Sequence, residues 1–495
     1  MRIRQPIQFL LTFICSIIIA FSAVAEGLGS TGDNIRLPEL GSPSDQYLTP
    51  ADEIRLGKAF MQNIRESQAV ITDPVISEYI QDLGNRLLKQ SEAAAQPFNF
   101  FFIEEPVINA FAGPGGHIGI FSGLMLATQS ESELASVIAH EIAHVTQKHL
   151  LRAFDAANQM SGKTAALILA AILVGVTTSS PDAGIALASS VQAGALQEQI
   201  NFTRSNEQEA DHVGIRILAD AEFDPRAMPV FFERLTHANR MFDSGIPEIL
   251  RTHPVTTNRI ADSLGRAEEY AYRQYTGSTQ YYLIREALRF RQFATPAEAI
   301  KHFQSGLKEG RYLNKEAHQY GYVLALTAKH DYKKAKQLAT ELLKQRPEQI
   351  EYILADAEIA KQSGRPDLAL DSLATASTLM PDNYPLAVAY IEHLLEADRA
   401  AQAKKVTSHI RSLRPNDPRL FRLLGKAEKL LGNTTESHRL LAEAYVADGQ
   451  LKAAVQQLKI ASKDDDKSDF YLSSKIESRL KELKQLVARR KEAEK

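Results

Sequence analysis

Ala139-His140-Glu141-Ile142-Ala143-His144-Val145 lies within an apolar run whose spacing predicts one helix from Ser132 through His149. Positions four apart share a helix face. His140 and His144 can therefore reach one Zn2+ at about 2.0–2.1 Å each, with Glu141 on its flank. Ala135, Val137, Ile138, Ile142, Ala143 and Val145 surround the pair with small or apolar side chains. Such a helix is buried, and buried imidazoles beside a carboxylate require partners that offset their desolvation. His140 and His144 are the candidate metal ligands. Glu141 is the candidate general base, taking a proton from water and delivering it to a leaving amine.

A catalytic zinc takes a third protein ligand and keeps one position open for water. Glu207-Gln208-Glu209-Ala210-Asp211 follows His144 by 63 residues and reads as helical, within a helix over 205–220. Glu207 and Asp211 share a face, and Glu209 points elsewhere. Taken alone the segment also reads as a surface acidic cluster. Beside the two histidines it supplies Glu207 as third ligand and Asp211 as acceptor for a ligand imidazole N–H. One Zn2+ per chain is the expectation.

These residues resemble the M48 metallopeptidases, which pair HExxH with a downstream ExxxD whose first Glu binds zinc. Asn109-Ala110-Phe111-Ala112-Gly113-Pro114-Gly115-Gly116, then a strand and Ser122-Gly123-Leu124, is similar to the family's segment before the zinc helix. His253-Pro254 with Arg259 resembles another family segment. The resemblance covers about residues 50–270 and implies a gluzincin-like α+β zinc endopeptidase domain. Three roles are open to His253: oxyanion hydrogen bonding, occupancy of the open zinc position as a latch, or a satisfied loop histidine. Arg259 either binds an oxyanion or pairs with Asp211 or Glu209. His149 and His212 lie near the site but off the required faces. His302, His318, His330, His393, His409 and His438 show no ligand spacing.

The first half also predicts strands at 98–103 and 117–121, separated by the turn Pro114-Gly115-Gly116. The 117–121 strand is expected beside the zinc helix as an exposed edge on which an extended substrate can pair through its main chain. Asp224-Pro225 reads as a helix start. Within the apolar 164–196 segment, the most hydrophobic stretch, Thr164 to Val176, is about 13 residues and short for a membrane span, which needs about 20. The segment reads as a buried helical hairpin or as one touching a membrane surface.

The second half repeats. Pro347, Pro381 and Pro415 are 34 residues apart, as are Ala335, Ala369 and Ala403, and so are His330, Gly364, Asp398 and Gly432 in short polar turns. A period of 34 with two helices per unit is the tetratricopeptide (TPR) pattern. Four to five units are expected, in a stack whose concave face holds a partner.

At the N-terminus, Arg2 and Arg4 precede an apolar stretch from Phe9 to Phe21, then Ser22-Ala23-Val24-Ala25. This is a secretory signal cleaved after Ala25. Cys15, the only cysteine, leaves with it, which excludes a cysteine nucleophile or Cys-ligated zinc. The remaining chain has 55 basic against 60 acidic residues, a net charge of −5, which gives no reason to expect nucleic acid.

The expected fold is mainly α with a small β-sheet. Residues 1–25 are the signal, 26–50 a linker, 51–275 the M48-like domain, 281–465 an α-helical TPR solenoid, and 466–495 a charged helix. An M48 domain placed between an export signal and such repeats is similar to that of bacterial periplasmic members of the family. That similarity implies misassembled outer-membrane β-barrel proteins as substrates and the barrel assembly machinery as partner. The alternative is a chaperone or assembly scaffold with a minor or latent protease activity. A general degradative protease with no barrel link is a third reading.

Overall fold

The computed structural model describes residues 50–153, 193–241, 247–275, 277–464 and 469–493. The signal, the 26–49 linker and residues 164–192 of the apolar segment lie outside the described residues. Two helices lead: α1 (Pro50–Ser67) and α2 (Pro74–Leu88). Asp73 starts α2 by accepting hydrogen bonds from the amides of Val75 and Ile76 at 2.9 and 3.2 Å, which satisfies two otherwise orphaned donors.

Three strands follow: β1 (Asn99–Ile103), β2 (Ala110–Gly113) and β3 (His117–Phe121), in the order β1-β3-β2. β3 runs parallel to β1, with Asn99 opposite His117, and antiparallel to β2, with Gly113 opposite His117. The 117–121 strand is therefore central, not the exposed edge expected from sequence. The edge beside the zinc helix is β2, a four-residue strand of mostly small residues with little β-branched signal of its own. Gly115 and Gly116, at φ 71° and 73°, fold β2 back onto β3; few other residues adopt that conformation without strain.

After α3 (Ser122–Ala127), the helix that carries His140 and His144, called the zinc helix for the ion expected from the sequence, is α4 (Glu131–Thr146). Its start is capped by Ser130, whose Oγ accepts from the Glu133 amide at 3.3 Å, and the Glu133 carboxylate reaches back to accept from the Gln129 amide at 2.7 Å. Its end departs from the sequence expectation, since the helix does not run through His149. Lys148 takes a left-handed conformation, φ 54°, and a new helical segment begins at His149. α5 (Ala193–Asp220) lies against α4, and α6 (Ala227–Met241), α7 (Glu248–Thr252) and α8 (Thr257–Glu268) complete this half. Asp224-Pro225 leads into a helix as its sequence suggests: the Asp224 carboxylate accepts from the Arg226 amide at 3.0 Å, its carbonyl accepts from the Ala227 amide at 3.1 Å, and α6 starts at Ala227. Leu134, Ile138 and Ile142 of α4 share one core with Phe100, Ile118 and Ile120 of the sheet and with Ile217 and Leu218 of α5.

From α9 (Thr279–Arg291) the chain is a stack of helix pairs, running through α10 (Pro296–Glu309), α11 (Lys315–Ala328) and α12 (Tyr332–Gln345) and on to Leu451–Asp464 and Phe470–Ala493. The periodic Ala335, Ala369 and Ala403 are fully buried where helices approach. The four periodic turn residues, His330, Gly364, Asp398 and Gly432, all have positive φ, at 65°, 79°, 57° and 86°. The repeat thus conserves a backbone conformation and tolerates different side chains in it. Gly432→Ala is expected to cost about 1–2 kcal/mol, the left-handed penalty of an L-residue, although a Cβ there meets nothing within 4 Å. Asp398→Gly is expected to cost nothing. Urea unfolding midpoints of the two variants check the pair.

The stack curls back onto the peptidase half. Arg414 pairs with Glu78 of α2, and Arg419 donates to the Thr72 carbonyl at 2.7 Å. α9 serves both halves: Tyr281, Ile284 and Leu288 enter the peptidase core, and Leu283 enters the first repeat core.

Candidate active site

The site is built where α4 and α5 meet. A Cβ on Gly214 of α5 would lie 3.2 Å from the His140 amide nitrogen. The absence of a side chain there brings the Glu207-Asp211 face of α5 against the imidazoles of α4. His140 Nε2 and His144 Nε2 stand 3.0 Å apart. Glu207 reaches both, with Oε2 3.5 Å from His140 Nε2 and Oε1 3.4 Å from His144 Nε2. His253, at the C-terminal end of α7, adds Nδ1 at 3.3 Å from His140 Nε2 and 3.1 Å from both Glu207 oxygens. These four donors lie within 4.8 Å of one another.

The set fits a divalent ion. Donors on a tetrahedral centre with bonds of about 2.0–2.1 Å are about 3.3–3.4 Å apart, close to the separations seen. Glu141, only 1% exposed, keeps Oε1 without a hydrogen-bond partner and 3.6 Å from His253 Nε2. A buried carboxylate oxygen left unpaired at a donor cluster is suited to a ligand or water that arrives there.

Charge is balanced behind the ligands. His140 Nδ1 lies 3.0 Å from Asp211 Oδ1. Arg259 holds Asp211 in a fork, Nε to Oδ2 at 2.7 Å and Nη2 to Oδ1 at 2.8 Å, and places Nη1 2.9 Å from Glu207 Oε2. Arg259 thus pairs with Asp211 and Glu207, and Glu209 turns away. Burial opposes protonation of His140, but the Asp211 and Glu207 carboxylates outweigh it and carry its pKa up to about 10. Burial likewise opposes ionisation of Glu207, yet His253, His140 and His144 hold it well below the usual carboxylate range.

His149 is the residue the sequence reading missed. The break at Lys148 returns it to the site, with Nδ1 2.8 Å from His144 Nδ1 and Nε2 3.2 Å from Glu209 Oε2. Arg152 Nη1 donates to the same Glu209 oxygen at 2.8 Å. Only one proton fits between the two Nδ1 atoms. With His149 Nε2–H donating to the carboxylate, that proton belongs to His144, whose Nε2 lone pair then faces the metal centre. Burial, and then the His144 charge, push the His149 pKa down to about 4, so it stays neutral in this role. An uninterrupted helix would have turned His149 away from the His144 ring, and no local motif marks the break. His149→Ala is expected to weaken metal binding about 10–100-fold, measured by competition with a chelator. His212 is exposed and takes no part.

Two helix-borne imidazoles and a carboxylate around one point, with a buried Glu on the same helix whose Oε1 accepts no hydrogen bond, define a metallopeptidase of the HExxH class. Sequence comparison agrees. Peptidase family M48 matches residues 74–267, and a tetratricopeptide repeat family matches residues 360–427. The beta-barrel assembly-enhancing protease of Yersinia pestis is 33% identical over 91% of this chain and 93% of its own length. That of Escherichia coli K12 is 31% identical over 94% of each. The mitochondrial metalloendopeptidase OMA1 of Danio rerio is 31% identical over 41% of this chain and 43% of its own. The chain belongs to peptidase family M48.

The structure also groups histidines that the sequence left scattered. Glu286, His302 and His318 each place a donor atom within 4.8 Å of the others. Among the described residues no helix is long and apolar enough to cross a membrane.

Proposed function

We propose that this chain is a periplasmic zinc endopeptidase. It degrades misassembled outer-membrane β-barrel proteins and assists their assembly, with the repeats docking clients or the assembly machinery. The convergence of His140, His144 and Glu207, with a Glu141 oxygen free of hydrogen bonds beside them, carries the catalytic part. The likeness to beta-barrel assembly-enhancing proteases over nearly the whole chain supports the substrate and partner. The export signal read at residues 1–25 supports the compartment.

His140, His144 and Glu207 hold the ion, which when bound polarises a peptide carbonyl and acidifies water. Glu141 takes the proton of the attacking water and returns it to the departing amine. Asp211 and Arg259 fix His140, and His149 with Glu209 fixes His144. An extended client pairs with the sheet edge at β2, which takes the role expected of 117–121. Main-chain pairing reads little sequence, which suits a protease for misfolded chains.

His253 Nδ1 sits among the donors where a fourth ligand would stand, which favours a latch. His253→Ala is expected to raise basal casein cleavage roughly tenfold, as removal of a state closed about nine-tenths of the time requires. Lower turnover with metal retained would assign His253 to the oxyanion instead. The latch also favours the second reading, a scaffold whose protease stays latent until a client arrives. Cross-linking in cells tests the partner: recovery of the barrel assembly machinery is expected, and a clean negative leaves a general degradative protease. The membrane-contact reading falls on the apolar segment, of which only the end, from Ala193, is described.

A further inference from the structure

We propose that Glu286, His302 and His318 form a second metal site, where the first helices of the repeat stack join the peptidase half. Glu286 lies on α9, His302 on α10 and His318 on α11, so three consecutive helices each contribute one donor. Glu286 Oε2 is 3.3 Å from His318 Nδ1, the separation of two ligands on one ion and the same as that between His253 and His140 in the catalytic cluster. The His302 and His318 rings have centroids 5.5 Å apart, against 4.7 to 5.2 Å among His140, His144 and His253.

One observation independent of this grouping points to a ligand. His318 is 2% exposed and turns Nδ1 to Glu286, so Nδ1 is the nitrogen it offers an ion. His302 Nε2 is buried and has no hydrogen-bond partner. A bare imidazole nitrogen buried beside two other donors is a cost without return in a folded protein. The helices are packed closely enough to fix the His318 ring: a Cβ on Gly306, one turn after His302, would collide with His318 Nε2 at 2.3 Å. Only glycine at 306 admits this imidazole.

The donor set selects the ion. Two imidazoles and one carboxylate suit zinc, nickel or copper ahead of magnesium or calcium. Arg285 and Arg289 also engage the Glu286 carboxylate, at 2.9 and 3.4 Å, so a cation here is held less firmly than in the catalytic centre. The position gives such an ion a structural reach. Arg285 donates to the carbonyls of Leu126 and Thr128 at 2.8 and 3.2 Å, just ahead of the cap of the zinc helix. Metal at Glu286 would therefore clamp the first repeat helices to the segment that starts α4.

Metal analysis of the full-length mature chain, dialysed against excess Zn2+ and then buffer, tests this. Two equivalents are expected in wild type and one in His302→Ala, with casein cleavage within about twofold of wild type. His144→Ala reports on the catalytic centre separately. It is expected to lose the other equivalent together with cleavage, while keeping the one that depends on His302. Equal zinc content in wild type and His302→Ala would overturn the second site without touching the catalytic reading. Unchanged content in His144→Ala would overturn the catalytic reading alone. Should His302→Ala fold poorly, Co2+ added to His144→Ala with and without Glu286→Gln gives the same decision: tetrahedral absorption bands that Glu286→Gln removes support the site, and absent bands or bands that survive it refute the site.

Discussion

Glu141→Gln is expected to lower casein cleavage by about 10²–10⁴-fold, the usual contribution of a positioned general acid–base, with metal content unchanged. The substitution keeps the shape of a side chain that is 1% exposed in the α4 core and removes only its capacity to take a proton. Glu141 is not among the converging donors, so metal retention is the control that separates chemistry from loss of the ion. Metal loss in this variant would move Glu141 into the ligand set and undo the proposed division of labour. The same variant separates the two functional readings in cells. Full support of outer-membrane assembly by a chain that cannot cleave would make the repeats the working part and the protease secondary.

Arg259→Ala is expected to be the most destabilising single change at the site, by about 3–5 kcal/mol in the metal-free chain. Breaking a buried ion pair on one side leaves the other charge unpaired. Here two buried carboxylates lose their guanidinium and keep only imidazole partners: Asp211 is 1% and Glu207 4% exposed, and Arg259 itself is 4% exposed. The removed guanidinium makes three of the contacts that orient them. Unfolding in urea with metal chelated measures the loss directly. Metal is expected to recover part of it, because a divalent ion replaces the missing positive charge at Glu207. A midpoint equal to wild type in the chelated state would show that the imidazoles alone are enough to hold Asp211 and Glu207.

Much of this architecture was legible in the sequence because it follows from periodicity. His140 and His144 share a face at i, i+4, Glu207 and Asp211 do the same on α5, and the 34-residue period places each repeat turn. What the sequence did not show depends on where regular structure stops. The left-handed Lys148 turned His149 from a bystander into the partner of His144. The glycine turn at 115–116 made β2 the sheet edge and moved 117–121 to the centre. The first is a local backbone event that side-chain patterning does not encode; in the second the turn was legible, but Ala110-Phe111-Ala112-Gly113 carries too little β-branched signal to read as a strand. His302 and His318 illustrate a further limit, because residues on successive helices meet through solenoid stacking and carry no common spacing along the chain.

The helix from Thr279 to Arg291 is a party wall. Tyr281, Ile284 and Leu288 finish the interior of the peptidase half, while Leu283 begins that of the stack. Cutting the chain just ahead of it would not free two intact domains: one fragment would lack part of its filling, and the other would begin with an apolar surface exposed to water. The two halves are thus tied by a common interior, which on the peptidase side also holds Leu134, Ile138 and Ile142 of α4.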